Sequence, residues 1–181
     1  MDEKSLYERL RKKCLESGVD SLPAAMAASI PEQRLWLFEH GKSSKSYVMS
    51  SSKREPSCVE NSLGTPWGLH EVCGKIGGDA PVGMIFKGRL PTGQCYWEAS
   101  EEEQKRNLIT SRILRLRGLE PGLNAGGDRD TYARYVYAHG TNHENKLGSP
   151  ASSGCLQLSN ADVVDLFERV PEGCPLLILR E

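Results

Sequence analysis

Apolar positions at the start of the chain keep a helical rhythm. Leu6, Leu10 and Cys14 fall four residues apart with Tyr7 alongside, and Gly18 follows as a natural stop. Leu22 to Ile30, with Pro23 near its start, predicts a second short helix. At Gln33 the texture changes. QRLWLFE has the dense short apolar run of a strand, HGKSSK turns the chain, and SYVMSS reads as the returning strand. The stretch 53–62 is polar, contains Pro56 and predicts a loop. TPWGLHEV follows, with Pro66 and Gly68 as breakers.

Further strands are expected in VGMIFK (82–87), LITSRILRL (108–116), Tyr135 to Ala138, and CPLLIL at the end. EASEEEQKR (98–106) reads as an exposed loop or helical turn, and the glycine-rich GLEPGLNAGG (118–127) as a long surface loop, either a lid over a site or a plain connection. The clearest helix begins at Ser159, three residues before Asp162 in a capping-box arrangement. Val163, Leu166, Phe167 and Val170 then keep one apolar stripe until Pro171 and Gly173 end it. Strands dominate and few are separated by helix-length connections. The pattern therefore predicts a mainly β body, sheet on sheet with one packed helix, and a short N-terminal helical segment. It divides the chain into a helical extension, 1–32, and one domain, 33–181.

Composition narrows the function classes. With 181 residues, 38% of them hydrophobic, the chain suits one soluble core. A net charge of -1 from 23 basic and 24 acidic residues argues against a nucleic-acid grip or a polybasic membrane surface. No apolar run approaches a transmembrane length, and MDEKSLYERLRKKCLESG lacks the apolar stretch of a secretory signal. A cytosolic setting, an export segment missing from this sequence and another export route all stay open. The six cysteines (Cys14, Cys58, Cys73, Cys95, Cys155, Cys174) are widely and irregularly spaced without a CxxC pair, which argues against a zinc site. Five of them read as small buried hydrophobes.

Cys155 differs because of its neighbours. A strand leads into His139-Gly140-Thr141-Asn142, and Ser152-Ser153-Gly154-Cys155 then brings a thiol just ahead of the capped helix. A free thiol, with a pKa of about 8.5, is mostly protonated at neutral pH and needs a base; an imidazole can take the proton and return it to a leaving amine. Gly154 lets a substrate backbone approach the sulfur, and amides around Ser153, Gly154 and Cys155 could face an oxyanion. No Asp or Asn stands out to orient His139, which leaves that task to a backbone carbonyl. His139 and His143 are four apart, but Gly140 and Asn142 between them speak against a helical metal pair. No metal or cofactor is expected.

The ordered run HGTN, a polar loop containing Gly148, then S-x-G-C, an apolar-polar-apolar triplet and a capped helix resembles the catalytic motif of the L,D-transpeptidases (YkuD type). The likeness extends from about Gln33 to Ile178. It implies a β-sandwich of mixed sheets and a cysteine acyltransferase acting on peptidoglycan stem tetrapeptides. By this resemblance Cys155 is the nucleophile and His139 the general base and acid. Gly140 and Thr141 line the pocket beside His139, Ser152 and Gly154 shape the loop that presents the thiol, and Ser153 and Gln157 complete the expected substrate-binding or oxyanion set. The terminal D-alanine would leave, and an amine or, in an L,D-carboxypeptidase, water would resolve the acyl-enzyme. The resemblance also implies a cell-envelope location and reaction with carbapenems. Two positions depart from the pattern. Ser153 stands where many members have His, and Gln157 where Arg or Asn is usual, which removes a charge. A non-catalytic wall-binding module is the rival reading that these departures motivate.

Overall fold

The computed structural model describes residues 2–181. Helix α1 (Glu3–Glu16) is capped by Asp2, whose carboxylate accepts from the Ser5 N–H, and it buries Leu6, Leu10 and Cys14. Ten strands follow: β1 (Ala24–Ser29), β2 (Arg34–Glu39), β3 (Lys42–Val48), β4 (Gly68–Ile76), β5 (Met84–Lys87), β6 (Leu90–Cys95), β7 (Ile109–Gly118), β8 (Tyr137–Thr141), β9 (Leu156–Leu158) and β10 (Pro175–Leu179). A single helical turn, α2 (Glu101–Gln104), precedes β7, and α3 (Asn160–Arg169) follows β9.

All ten strands belong to one mixed sheet in the order β3-β2-β1-β10-β4-β7-β5-β6, with β8 on β7 and β9 on β8. β1 runs parallel to β10 and β8 parallel to β9; the other pairs are antiparallel. The sheet curls until β9 meets the segment after β3, where Ser50 and Gln157 exchange backbone hydrogen bonds of 2.9 and 2.8 Å. Its two arms thus face each other as the layers of a sandwich do. Met26, Leu35, Leu37, Leu114, Leu116, Leu156, Leu158 and Ile178 meet inside the curl with Val163 and Leu166 of α3.

The segment 22–30 corrects one expectation. It forms β1, not a helix. Ala24, Met26 and Ala28 face the inner core, while Ala25 and Ala27 face a second apolar layer under α1 with Trp36, Phe38, Leu177 and Leu179. A strand buried on both faces needs no polar-apolar alternation, and alanine-rich sequence of that kind imitates a helix.

The expected helix at the end of the chain is present as α3. Ser159 Oγ accepts from Asp162 N at 3.0 Å and donates to the Asp162 carboxylate at 2.8 Å. Tyr47 Oη donates to Asp165 at 2.6 Å, which ties α3 to β3. At the other end the Asn160 amide accepts from Thr110 Oγ1 (2.7 Å) and Ser111 Oγ (2.5 Å) and donates to Thr141 O (2.9 Å) and Glu144 (2.7 Å). This buried, fully paired knot locks the bulge of β7, the end of β8 and the start of α3 together.

Candidate active site

Parallel pairing of β8 with β9 sets the geometry. Ala138 is opposite Leu156, His139 opposite Gln157 and Gly140 opposite Leu158. Alternation sends Ala138, Leu156 and Leu158 into the inner core. Tyr137, His139, Cys155 and Gln157 therefore share the other face, where Tyr137 and Cys155 pack beside Met84, Phe86 and Ile113. On that face Cys155 is the direct neighbour of Tyr137, and His139 lies one diagonal step away; the partners of Sγ are the Tyr137 N–H (3.4 Å) and the Tyr135 carbonyl (3.8 Å). The expected strand over 135–138 begins two residues later because Tyr135 takes a left-handed φ of 55° and ends a tight turn.

His139 is only 4% exposed. Its Nδ1–H donates to the Gly140 carbonyl at 2.7 Å, and Nε2 has no partner among the described residues. The carbonyl thus selects the tautomer whose Nε2 lone pair is free to act as a base. Burial lowers the His139 pKa to about 4, opposed in part by the bond to Gly140. Burial raises the Cys155 thiol to about 11, opposed by the Tyr137 N–H (3.4 Å from Sγ) and by the positive charge of Arg134. At neutral pH the two groups are therefore a thiol and a neutral imidazole, not a standing ion pair.

Cys155 opens into a pocket of about 320 Å³. Glu60, Asn61 and Leu63 form one wall, Ala133 to Val136 another, and Ser153, Gly154 and Cys155 the third. The N–H of Gly154 donates to Ser152 Oγ (3.2 Å), and that hydroxyl donates to the Cys155 carbonyl at 2.6 Å. Ser152 thus braces the thiol-bearing turn. The N–H groups of Ser153 and Cys155 carry no partner among the described residues, so two donors beside the sulfur are free to meet an oxyanion. Gly154 adopts φ 125°, a conformation that side-chain-bearing residues rarely take.

Other expected lining residues lie elsewhere. A Cβ on Gly140 would fall 2.6 Å from the Thr110 carbonyl, so this glycine permits the close approach of β7 and β8 and does not line the pocket. Thr141 is fully buried; its hydroxyl accepts from His143 N. Gln157 is 2% exposed, and its side chain makes no hydrogen bond among the described residues. His143 keeps a buried, unpartnered Nε2 and is absent from the pocket wall. The glycine-rich loop 118–127 is no lid. Asn124 binds the carbonyls of Trp67 and Leu69, and Glu120 holds Leu69 N and Lys13, fastening the loop to β4 and α1.

Arg134 is the residue that sequence reading missed. It lines the pocket and is half-buried, and its guanidinium donates to the carbonyls of Ser57 (3.0 Å) and Gly64 (2.8 Å) and to Ser62 Oγ (3.4 Å). It therefore staples the polar loop 57–64 into the wall facing Cys155.

A family profile described as YkuD, the L,D-transpeptidase catalytic domain, matches residues 23–178. The chain belongs to this L,D-transpeptidase catalytic-domain family. The Bacillus subtilis (strain 168) protein YqjB, whose name assigns it provisionally to the L,D-transpeptidases, is 40% identical over 57 residues, 32% of this chain and 31% of YqjB. Among solved structures, L,D-transpeptidase 3 from Mycobacterium tuberculosis, in complex with a faropenem-derived adduct, superposes with a TM-score of 0.56 at 15% identity. That match covers 87% of this chain and 60% of the other. An Enterococcus faecium L,D-transpeptidase gives 0.54 at 15% identity, covering 89% of this chain and 51% of the other. These likenesses show the L,D-transpeptidase fold. The chain spans about a third of YqjB in the matched region and just over half of the structural relatives.

Proposed function

We propose that the protein is a cysteine-dependent L,D-transpeptidase acting on peptidoglycan stem tetrapeptides. His139 Nε2 takes the Cys155 proton as Sγ attacks the carbonyl carbon between the L-centre of the third residue and the terminal D-alanine. The N–H groups of Ser153 and Cys155 receive the oxyanion. The carbon–nitrogen bond then breaks, His139 returns the proton to the departing D-alanine amine, and a thioester remains on Cys155. An amine of a second stem attacks this thioester and loses its proton to His139; His139 re-protonates Sγ as the new amide leaves. Ser152 and Gly154 hold the turn that presents the sulfur. Gln157 contributes no charge, so any electrostatic help at the sulfur comes from Arg134.

One observation carries this reading: a thiol opens into a pocket, on the same sheet face as an imidazole whose tautomer is fixed by the Gly140 carbonyl. Membership of the L,D-transpeptidase family supports it. Incubating the protein with tetrapeptide muropeptides and weighing the products tests it. Dimers linked through the third residue of the donor stem, absent with Cys155→Ala, are expected. Tripeptide monomers alone would make the protein an L,D-carboxypeptidase. Unchanged tetrapeptide would leave a binding module and overturn the proposal.

A further inference from the structure

A charge without a counter-ion stands in the Cys155 pocket. Arg134 offers five N–H donors, and three hydrogen bonds to Ser57, Ser62 and Gly64 leave two unused. All three acceptors are neutral. No carboxylate lies within ion-pair distance of Arg134 among the described residues, although Glu60, exposed on the same pocket wall, exerts a weak long-range pull. Burial lowers the Arg134 pKa from its ordinary value, which means that the cation sits in a poorly solvated place. A half-buried guanidinium is costly unless an anion or a full set of acceptors compensates it.

Its position is built, not incidental. Asp130 accepts from Gly126 N (2.9 Å) and Ala133 N (2.8 Å), Arg134 N donates to Asp130 O (3.0 Å), and Tyr135 N to Tyr132 O (3.2 Å). These bonds wind 130–135 into a rigid turn, closed by the left-handed Tyr135, that aims Arg134 across to the loop 57–64. The planar fork of a guanidinium matches a carboxylate in shape and charge.

We propose that Arg134 binds a carboxylate of the donor stem peptide and thereby sets which stems enter the pocket. The inference rests on the function proposed above. The stem offers two carboxylates near the scissile bond: that of the terminal D-alanine and, where the third residue is a diaminopimelate, that of its side chain. Either one, held by Arg134, fixes the carbonyl relative to Sγ.

The test is binding without turnover. Cys155→Ala protein is titrated calorimetrically with a synthetic tetrapeptide stem as the free acid, with its C-terminus amidated, and with its side-chain carboxylate amidated. One amide is expected to bind about tenfold or more weakly than the free acid, the size of one lost charged hydrogen-bond pair, and it identifies the carboxylate. Adding Arg134→Gln should bring that ratio close to one, and Arg134→Lys should keep part of it. A role confined to stapling the loop 57–64 would weaken all three peptides equally and leave the ratio intact, which overturns the proposal. Equal binding of acid and amides by the Arg134 protein overturns it too. If none of the three binds, the stem-peptide reading itself fails, and wild-type turnover, measured separately, shows that failure on its own.

Discussion

The layer formed by β1, β2 and β10 and the edge formed by β8 and β9 bury comparable strands for different ends. In the first, side chains on both faces are apolar: Met26, Leu35 and Leu37 inward, Trp36, Phe38 and Leu177 outward under α1. In the second, one face lies in the inner core and the other meets only the small cluster of Met84, Phe86, Ile113 and Tyr137. That second face also carries a thiol, an imidazole and an amide, with the imidazole almost wholly buried and paired at one nitrogen only. The first region gains stability from every residue. The second holds polar groups in a poorly solvated place, and the order this requires comes from neighbours such as Asn160 and Ser152. Substitutions should therefore separate cleanly into losses of rate and losses of stability.

The largest separation is expected at His139. His139→Gln can still donate to Gly140 O but offers no base, so kcat should fall about 10²- to 10⁴-fold while the urea midpoint stays near that of wild type. A variant with full activity would remove the imidazole from the mechanism. Leu37→Ala should do the opposite. It empties a fully buried position and should cost about 2–5 kcal/mol in urea unfolding, with activity per folded molecule retained. Equal losses of rate and stability there would erase the contrast between the regions.

Acid should reveal a smaller effect shared by both. His139 and His70 are both buried, with pKa values lowered to about 4 against 6.5 for the free side chain. As the pH falls below about 6.5, the unfolded chain binds these protons first, so stability is complete above that value and declines progressively towards pH 4. Urea unfolding at pH 7.5 and pH 5 should show the drop, and a flat profile would contradict the burial of these rings. The smallest effect is expected at Ser159→Ala, where loss of the α3 cap should cost about 1 kcal/mol; calorimetric melting gives the value.

How much of this was written legibly in the sequence follows the same division. The family was legible because HGTN and SSGC are ordered strings of special residues, and the capped helix α3 followed its apolar stripe. Strands with a clear apolar run, such as β2, β7 and β10, were equally plain. β1 was misread because a strand buried on both faces has no alternation to show. Short strands such as β6 and β9, with three to six residues, depend on partners distant in sequence. Gly140 and Thr141 were expected at the pocket, yet they face β7 and His143, since a motif does not say which of its members point inward. Asn160 and Arg134 gave no local signal; only the curl of the sheet and the turn at 130–135 bring them to the site.

All six cysteines are free, and burial raises the pKa of Cys155 to about 11, as it does that of Cys14. Thiolate content therefore does not single out Cys155; the pocket and His139 do. Intact-protein mass spectrometry after incubation with a carbapenem at neutral pH, followed by peptide mapping, tests this most directly. One adduct on Cys155, lost in Cys155→Ala and slowed in His139→Gln, is the predicted result. A folded wild-type protein that stays unmodified, or an adduct that persists in Cys155→Ala, would contradict the account.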